Sequence, residues 1–303
     1  MKKIMLLLAI AVLITGCTGI GIGKQKAETL PVPHTGTKGI TMSFIPNAPP
    51  SLMYIESGST TVPYQIVISI KNEGAYTVAP EIYLLGFDSN IFGNLGNSQY
   101  PTPTTVNQLE GKSAQNPEGD ITQFTKDIVQ VNLPSGTDQL SFNLMAAACY
   151  PYQTEASLPV CIDPDPYGVV MSKACTTSGI PAGSQGAPVA ITSVQQDSLP
   201  NKAIFKITVS NVGGGQVYTS TADCMNLKYG DTDKVDYSTV TIGTNIPPTT
   251  CSPLSPLVLT KGVATITCIF NIPQNQAFTS TLNIHLDYGY MNTIQKQVQI
   301  KKV

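Results

Sequence analysis

The sequence predicts an all-β protein: two tandem antiparallel β-sandwiches behind an N-terminal signal and anchor segment. Three observations carry this. Short runs that alternate apolar and polar residues, punctuated by Pro, Gly, Asn and Thr, fill the chain, and no stretch beyond the N-terminal apolar run keeps a helical period. Tyr64, Ile66, Ile68 and Ile70 alternate with Gln65, Val67, Ser69 and Lys71 and end on Asn72-Glu73-Gly74. Phe205, Ile207 and Val209 repeat the pattern and end on Asn211-Val212-Gly213, an offset of 139 residues. Leu144, Ala146, Ala148, Tyr150 and Tyr152 then match Leu282, Ile284, Leu286, Tyr288 and Tyr290, and a return strand matches Val160 and Ile162 to Val298 and Ile300, at an offset of 138. Two separated stretches sharing one spacing to within a residue argue for tandem duplication. A strand's side-chain period of two places the matched positions on one face, the expected core.

From the N-terminus, Lys2 and Lys3 precede an uncharged apolar run from Met5 to Ile14, the layout of a secretory signal. The run closes on Ile14-Thr15-Gly16-Cys17, which resembles the lipobox of prokaryotic lipoproteins. The resemblance implies a signal peptide of residues 1–17, cleaved before a Cys17 that carries diacylglycerol. It places the protein on the extracytoplasmic face of the cell membrane, held by lipid, and two acyl chains suffice for stable anchoring. The competing reading is an uncleaved transmembrane anchor, since no charge interrupts Ile4 to Gly23 and about 20 apolar residues span a bilayer. In both readings Lys2 and Lys3 stay inside and everything after residue 24 lies outside.

Residues 18–38, rich in Gly, Lys, Pro and Thr, read as a flexible tether. Domain one is expected over 39–175, a linker over 176–187 within a Pro- and Gly-rich junction, and domain two over 188–303. In domain one the polar stretch from Ser89 to Lys126 reads as disordered or decorative, with a functional loop as the alternative. Asn and Gly at the two strand ends tolerate the left-handed backbone that a tight turn needs. Each copy has room for about seven strands, which suits a sandwich of two sheets. The Tyr-x-Tyr pairs and the Asn-x-Gly strand ends make the chain similar to the immunoglobulin-like domains of bacterial and archaeal surface proteins, including the adhesion-related CARDB type. That resemblance implies tandem Ig-like domains acting as spacers, stalks or adhesion modules.

The chain has seven cysteines. Setting Cys17 aside leaves Cys149, Cys161, Cys175, Cys224, Cys251 and Cys268, an even number that reads as disulfides in an exported chain. Zinc is the competing reading, but no Cys-x-x-Cys occurs and only His34 and His285 are available. Cys268 is in register with Ala264, Ile266, Phe270 and Ile272, so it points into the second core, with Cys224 or Cys251 as partner. Cys161 with Cys175 is the easiest pair. Cys149 and Cys161 face outward, and their counterparts in the repeat are Asp287 and Gln299. Three cysteines per domain leave either one bridge between domains or one free thiol in each.

Charged residues make up 12% of the chain, its net charge is -2, and it contains no Arg, so no basic stripe exists to hold nucleic acid. His34 lies in the tether, and His285 faces outward beside Asn283 and Asp287. Without a buried, oriented imidazole or a Gly-x-Ser-x-Gly elbow, no catalytic residue is assigned and no enzyme is expected. The calcium candidates are Asp163, Asp165, Asp231, Asp233 and Asp236. Pro follows Asp163 and Asp165, and the Glu of a dedicated loop is missing, so no metal or cofactor is expected. Sugar stacking would fall to Tyr54, Tyr76, Tyr83 and Tyr100, because the chain has no Trp. No N-glycosylation sequon occurs. The expected function is a membrane-anchored structural or adhesive module that meets a protein or cell-envelope partner along strand edges. The alternative is a lipid-tethered glycan- or solute-binding component, or a hydrolase, which a deep pocket with convergent polar groups would favour.

Overall fold

β-Branched and aromatic residues at every second position make pleated, half-buried strands, and the computed structural model has fifteen of them among the residues it describes, 34–57, 59–168, 173–177 and 179–303. In chain order they begin β1 (Ile40–Phe44), β2 (Leu52–Ile55), β3 (Thr61–Asn72), β4 (Glu81–Leu85) and β5 (Thr104–Thr105). They continue β6 (Ile121–Gln130), β7 (Gln139–Ile162), β8 (Val189–Leu199), β9 (Lys202–Asn211) and β10 (Gln216–Tyr218). The last five are β11 (Lys234–Ile242), β12 (Thr250–Ser252), β13 (Leu257–Val258), β14 (Val263–Asn271) and β15 (Phe278–Lys302). Among the described residues no helix is long and apolar enough to cross a membrane. The signal, Cys17 and most of the tether lie outside the described residues.

Two small sheets, ordered β1-β3-β6 and β12-β14-β9-β8, share one hydrophobic core with an eight-stranded sheet ordered β13-β11-β15-β7-β4-β5. β10 also pairs with β15, and β2 joins the end of β15 in parallel. The alternation read from the sequence sets the inward faces. Ile66, Ile68 and Ile70 of β3 and Phe205, Ile207 and Val209 of β9 are fully buried. So are the matched sets Leu144 to Tyr152 on β7 and Leu282 to Tyr290 on β15.

β7 and β15 are where the fold departs from two separate sandwiches. Neither turns at its Tyr-x-Tyr pair. Each runs straight through, and the two pair antiparallel without a break from Gln139↔Lys301 to Ile162↔Phe278. Tyr150 faces Tyr290, Tyr152 faces Tyr288 and Pro151 faces Gly289. Because the repeat equates Tyr150 with Tyr288 and Tyr152 with Tyr290, the two copies are related by a local twofold axis through Pro151 and Gly289. This is the isologous arrangement of a symmetric dimer, built within one chain.

The expected return strands are therefore exchanged between halves. Residues 154–162 continue past the axis into the second half, where Thr154 Oγ1 donates to Val189 O (2.6 Å) and Gln196 Nε2 donates to Cys161 O (2.6 Å). Residues 292–301 cross into the first half beside residues 139–148. A strand folded back on its own half would have needed a turn between Tyr152 and Val160, where residues 153–159 instead continue the ladder. Gln153 pairs with Asp287 and Pro159 with Thr281.

The stretch 176–187 is not a spacer between beads. Ile180 bridges Val194, Gly186 O accepts from Ala75 N (2.7 Å), and Gly186 N donates to Gly36 O (3.2 Å). The end of the tether is woven in at the same place. The stretch 89–126 is ordered as well: Ile91, Phe92, Leu95 and Leu109 are buried in the core, and β6 begins at Ile121. A few apolar anchors among many polar residues leave no period to read, yet they suffice to pin the segment.

At the axis the four tyrosines bury their rings, with centroids 5.9 to 6.3 Å apart, and every hydroxyl is used. Tyr150 OH accepts from Ile40 N (3.0 Å) and Tyr288 OH from Val189 N (3.2 Å). Tyr152 OH accepts from Tyr76 N (3.1 Å) and Tyr290 OH from Gly215 N (2.8 Å). These are the same two bonds made twice. Burial pushes the Tyr152 phenol up to about 12 and the Tyr150 and Tyr288 phenols well above their usual value. The hydroxyls thus stay protonated and can donate.

The Asn-x-Gly strand ends belong to this network. Asn72 Nδ2 donates to Tyr76 O and Asn211 Nδ2 to Gly215 O, both at 2.8 Å. Neither Asn-x-Gly uses a positive φ, which corrects the turn argument. Gly74 and Gly213 are needed for close approach, because a Cβ on either would run into the hydroxyl of Tyr152 or Tyr290. Asn72 is fully buried, so Asn72→Ala is expected to cost about 1–3 kcal/mol by stranding the Tyr76 and Leu109 carbonyls it serves. Urea unfolding checks this, with Asn245→Ala on the surface as a reference.

Candidate functional site

The two copies differ most on the outer face of the large sheet. At one offset, Met145, Ala147 and Cys149 in the first half correspond to Asn283, His285 and Asp287 in the second. The polar set stays on the outside, where Gln153 Nε2 donates to Asp287 Oδ1 (2.9 Å) and Ser157 Oγ to Asn283 Oδ1 (2.9 Å). The apolar set needs a cover, and the second half supplies it.

β10 sets Gln216 opposite Met291, so an unbroken strand would bring Ser220 opposite Asp287. Asp236 sits there instead, which marks an insertion of 16 residues between β10 and β11. Its Ala222, Cys224, Met225 and Leu227 cross the axis and pack with Tyr83, Leu85, Ala147, Cys149 and Met291 in a second hydrophobic cluster. A disulfide joins Cys149 to Cys224 across the halves. Cys161 is joined to Cys175, and Cys251 to Cys268. The inserted segment is shaped by Asp223, whose carboxylate accepts from Met225 N (2.9 Å) and Asn226 Nδ2 (2.6 Å). These bonds hold its carboxyl below the usual carboxylate range.

Between this insertion and the loop carrying Gln99, Tyr100 and Pro101 lies a cleft of about 540 Å³, floored by Glu81, Tyr83, Pro151 and Tyr218. Tyr83 OH donates to Glu81 Oε2 at 2.8 Å. Burial, then the neighbouring Glu81 and Asp223, push up the phenols of Tyr83 and Tyr218, the latter to about 12. Both carboxylates therefore act on both phenols, and among the described residues no Lys or His lines the cleft. The result is a negative, aromatic-floored recess whose rim Tyr100 is 71% exposed.

Of the tyrosines considered for stacking, Tyr83 and Tyr100 meet in this cleft. Tyr76 packs edge-on against Tyr152 (5.7 Å between centroids), and Tyr54 receives the Tyr64 hydroxyl at its backbone. Glu81, Asp223 and Tyr218 were not among the sequence candidates. The signal that points to them is the mismatch of outward residues between the copies, Cys149 against Asp287.

The calcium candidates do not converge. Lys173 Nζ takes Asp163 Oδ2 (2.6 Å) and Asp165 O (2.7 Å), Asp231 Oδ2 accepts from Lys228 N (3.0 Å), and Asp236 Oδ1 accepts from Ser255 Oγ (3.1 Å). Asp233 takes a positive φ of 56° in the turn before β11. Among the described residues no group of three His, Cys, Asp or Glu is placed to hold a metal ion. His285 lies 3.1 Å from Asp287 and 3.5 Å from Glu155 on the outer face. His34 makes no side-chain hydrogen bond or ion pair among the described residues.

Two edges of the small sheets are each engaged at one point by a side-chain amide. Asn94 Nδ2 donates to Asp127 O (2.6 Å) and Asn94 Oδ1 accepts from Val129 N (3.4 Å), covering β6. Gln185 does the same to both backbone groups of Ile191 on β8. Each amide stands in for a strand where another chain would add.

No protein-family model and no curated protein matches the chain. Among solved structures, the chain is similar to the C-terminal globular domain of an oligosaccharyltransferase from Pyrococcus abyssi, at 8% identity and a TM-score of 0.22, over 88% of this chain and 50% of that one. A TM-score of that size carries no argument about fold or activity.

Proposed function

We propose that this chain is a lipid-anchored, extracytoplasmic binding module without catalytic activity, made of two Ig-like halves fused back to back and displaying the cleft beneath the Cys224 insertion. The observation that carries the reading is the use of cysteine. All six cysteines after Cys17 are consumed in three disulfides, chemistry suited to an oxidising compartment outside the cytoplasm. Cys17 alone follows a signal-like apolar run. The amides that engage the β6 and β8 edges work against strand addition there, and the preformed recess is the partner contact this reading favours.

Replacing Cys17 by Ser in the producing cell is expected to abolish incorporation of labelled fatty acid and to release the chain from the membrane fraction. Undiminished labelling of that variant would sink the anchor. Crosslinking on intact cells through a photoreactive group at position 100 is expected to capture a surface partner, and a variant with the group on the opposite sheet serves as the control.

A further inference from the structure

The cleft combines features that serve no evident structural purpose. Tyr100 holds its ring in solvent at the rim, although a core-forming loop has buried positions for an aromatic. Glu81 needs only one oxygen for Tyr83, leaving Oε1 without a hydrogen-bond partner among the described residues. The disulfide and the turn bonds at Asp223 fix the opposite wall, so the recess is formed before any ligand arrives. A neutral sugar would be served by Asn, Gln and Ser with little net charge. Two carboxylates line one recess, with no Lys or His beside them among the described residues, and the negative potential this leaves favours a positive guest. Tyrosine faces add attraction for such a guest, since the ring quadrupole is negative above its plane.

We propose that this cleft binds a cationic group, an ammonium or guanidinium, held between Glu81 and Asp223 and covered by the Tyr100 ring. The inference rests on the reading of the chain as a binding module and names its ligand class. Two sources offer that chemistry, an amino sugar of the envelope or a lysine or arginine side chain of a protein partner.

The test is calorimetric titration of the full chain, disulfides intact, in non-ionic detergent at low salt. The probes are glucosamine, Nα-acetyl-lysine amide and Nα-acetyl-arginine amide, each against an uncharged counterpart: N-acetylglucosamine, the Nε-acetylated lysine amide and Nα-acetyl-citrulline amide. At least one cationic probe is expected to bind roughly tenfold or more tightly than its neutral counterpart, and to weaken as salt is raised. The probe that binds best identifies the source. Glu81→Gln keeps an acceptor for the Tyr83 hydroxyl, and Asp223→Asn keeps one for Met225 N while giving up the bond from Asn226 Nδ2; far-ultraviolet circular dichroism checks that the fold persists, and the cation is expected to lose roughly tenfold or more in affinity. Equal binding of charged and neutral probes, salt-independent binding, or no heat from any cationic probe at tens of millimolar each overturns the proposal. Cys17 labelling is read separately: an unlipidated chain that still binds cations refutes the anchor alone, and a lipidated chain that binds none refutes the cleft assignment alone.

Discussion

Tyr288→Ala is expected to destabilise the protein by about 3–5 kcal/mol, the range for deleting a large aromatic from a packed core. Tyr288 is fully buried beside Tyr152 and Tyr290, at centroid distances of 6.0 and 6.3 Å. Its hydroxyl accepts from Val189 N and meets Thr154 Oγ1 at 2.8 Å. Thr154 gives its only hydroxyl proton to Val189 O, so Tyr288 must be the donor in that pair. Tyr288→Phe keeps the ring and strands these partners, for an expected loss of about 1–3 kcal/mol. Tyr100→Ala on the rim is expected to stay within about 0.5 kcal/mol of the parent. Because the ring sits on the axis, both halves should still unfold in one transition in urea, with its midpoint lowered. Two separated transitions, or a loss under about 1 kcal/mol for the alanine variant, would contradict a shared core.

The second large effect is expected at the bridge between halves. Cys149 and Cys224 are 75 residues apart, against 14 for Cys161 and Cys175 and 17 for Cys251 and Cys268. If disulfides act by restricting the unfolded chain, removing the long link costs roughly 4 kcal/mol and either short one about 3. The Cys149→Ser, Cys224→Ser double variant should lose more than that difference suggests, because the insertion also covers Tyr83, Ala147 and Met291. Faster hydrogen exchange across residues 219–233, together with loss of cation binding, is the expected signature. Equal destabilisation by all three double variants, with unchanged exchange in the insertion, would mean that the link holds nothing in place.

The strands and their buried faces are legible in the sequence because a period of two is a local property. Ile66, Ile68 and Ile70, and Phe205, Ile207 and Val209, show it without reference to anything distant. The duplication is legible for the same reason. The exchange is not, because an offset says which residues correspond and is silent on which copy each one pairs with. The stretch from Tyr152 to Val160 is read as leading into a return strand, and only a partner more than a hundred residues away keeps it straight. Asn72-Glu73-Gly74 shows the opposite failure: the motif is visible, but its reason lies in the hydroxyl of Tyr152, which no local pattern reveals. The cleft was half visible. Tyr83 and Tyr100 stand out as aromatics, whereas Glu81 and Asp223 are ordinary surface carboxylates until the insertion folds across the axis.

The exchange of β7 and β15 also sets a timetable. Residues 139–148 find their ladder partners among 292–301, at the far end of the chain. A polypeptide delivered N-terminus first therefore leaves this edge of residues 139–148 unpaired until residues 292–301 have arrived. Neither half completes its ladder alone, and the contact order of the whole protein is high, so folding should be slow compared with a string of independent sandwiches. During that wait the unpaired edge is open to pairing with neighbouring chains. Side-chain amides such as Asn94 and Gln185 protect edges only once the fold is finished, so the vulnerable interval comes before the exchanged strands have paired, and holding chaperones would act there.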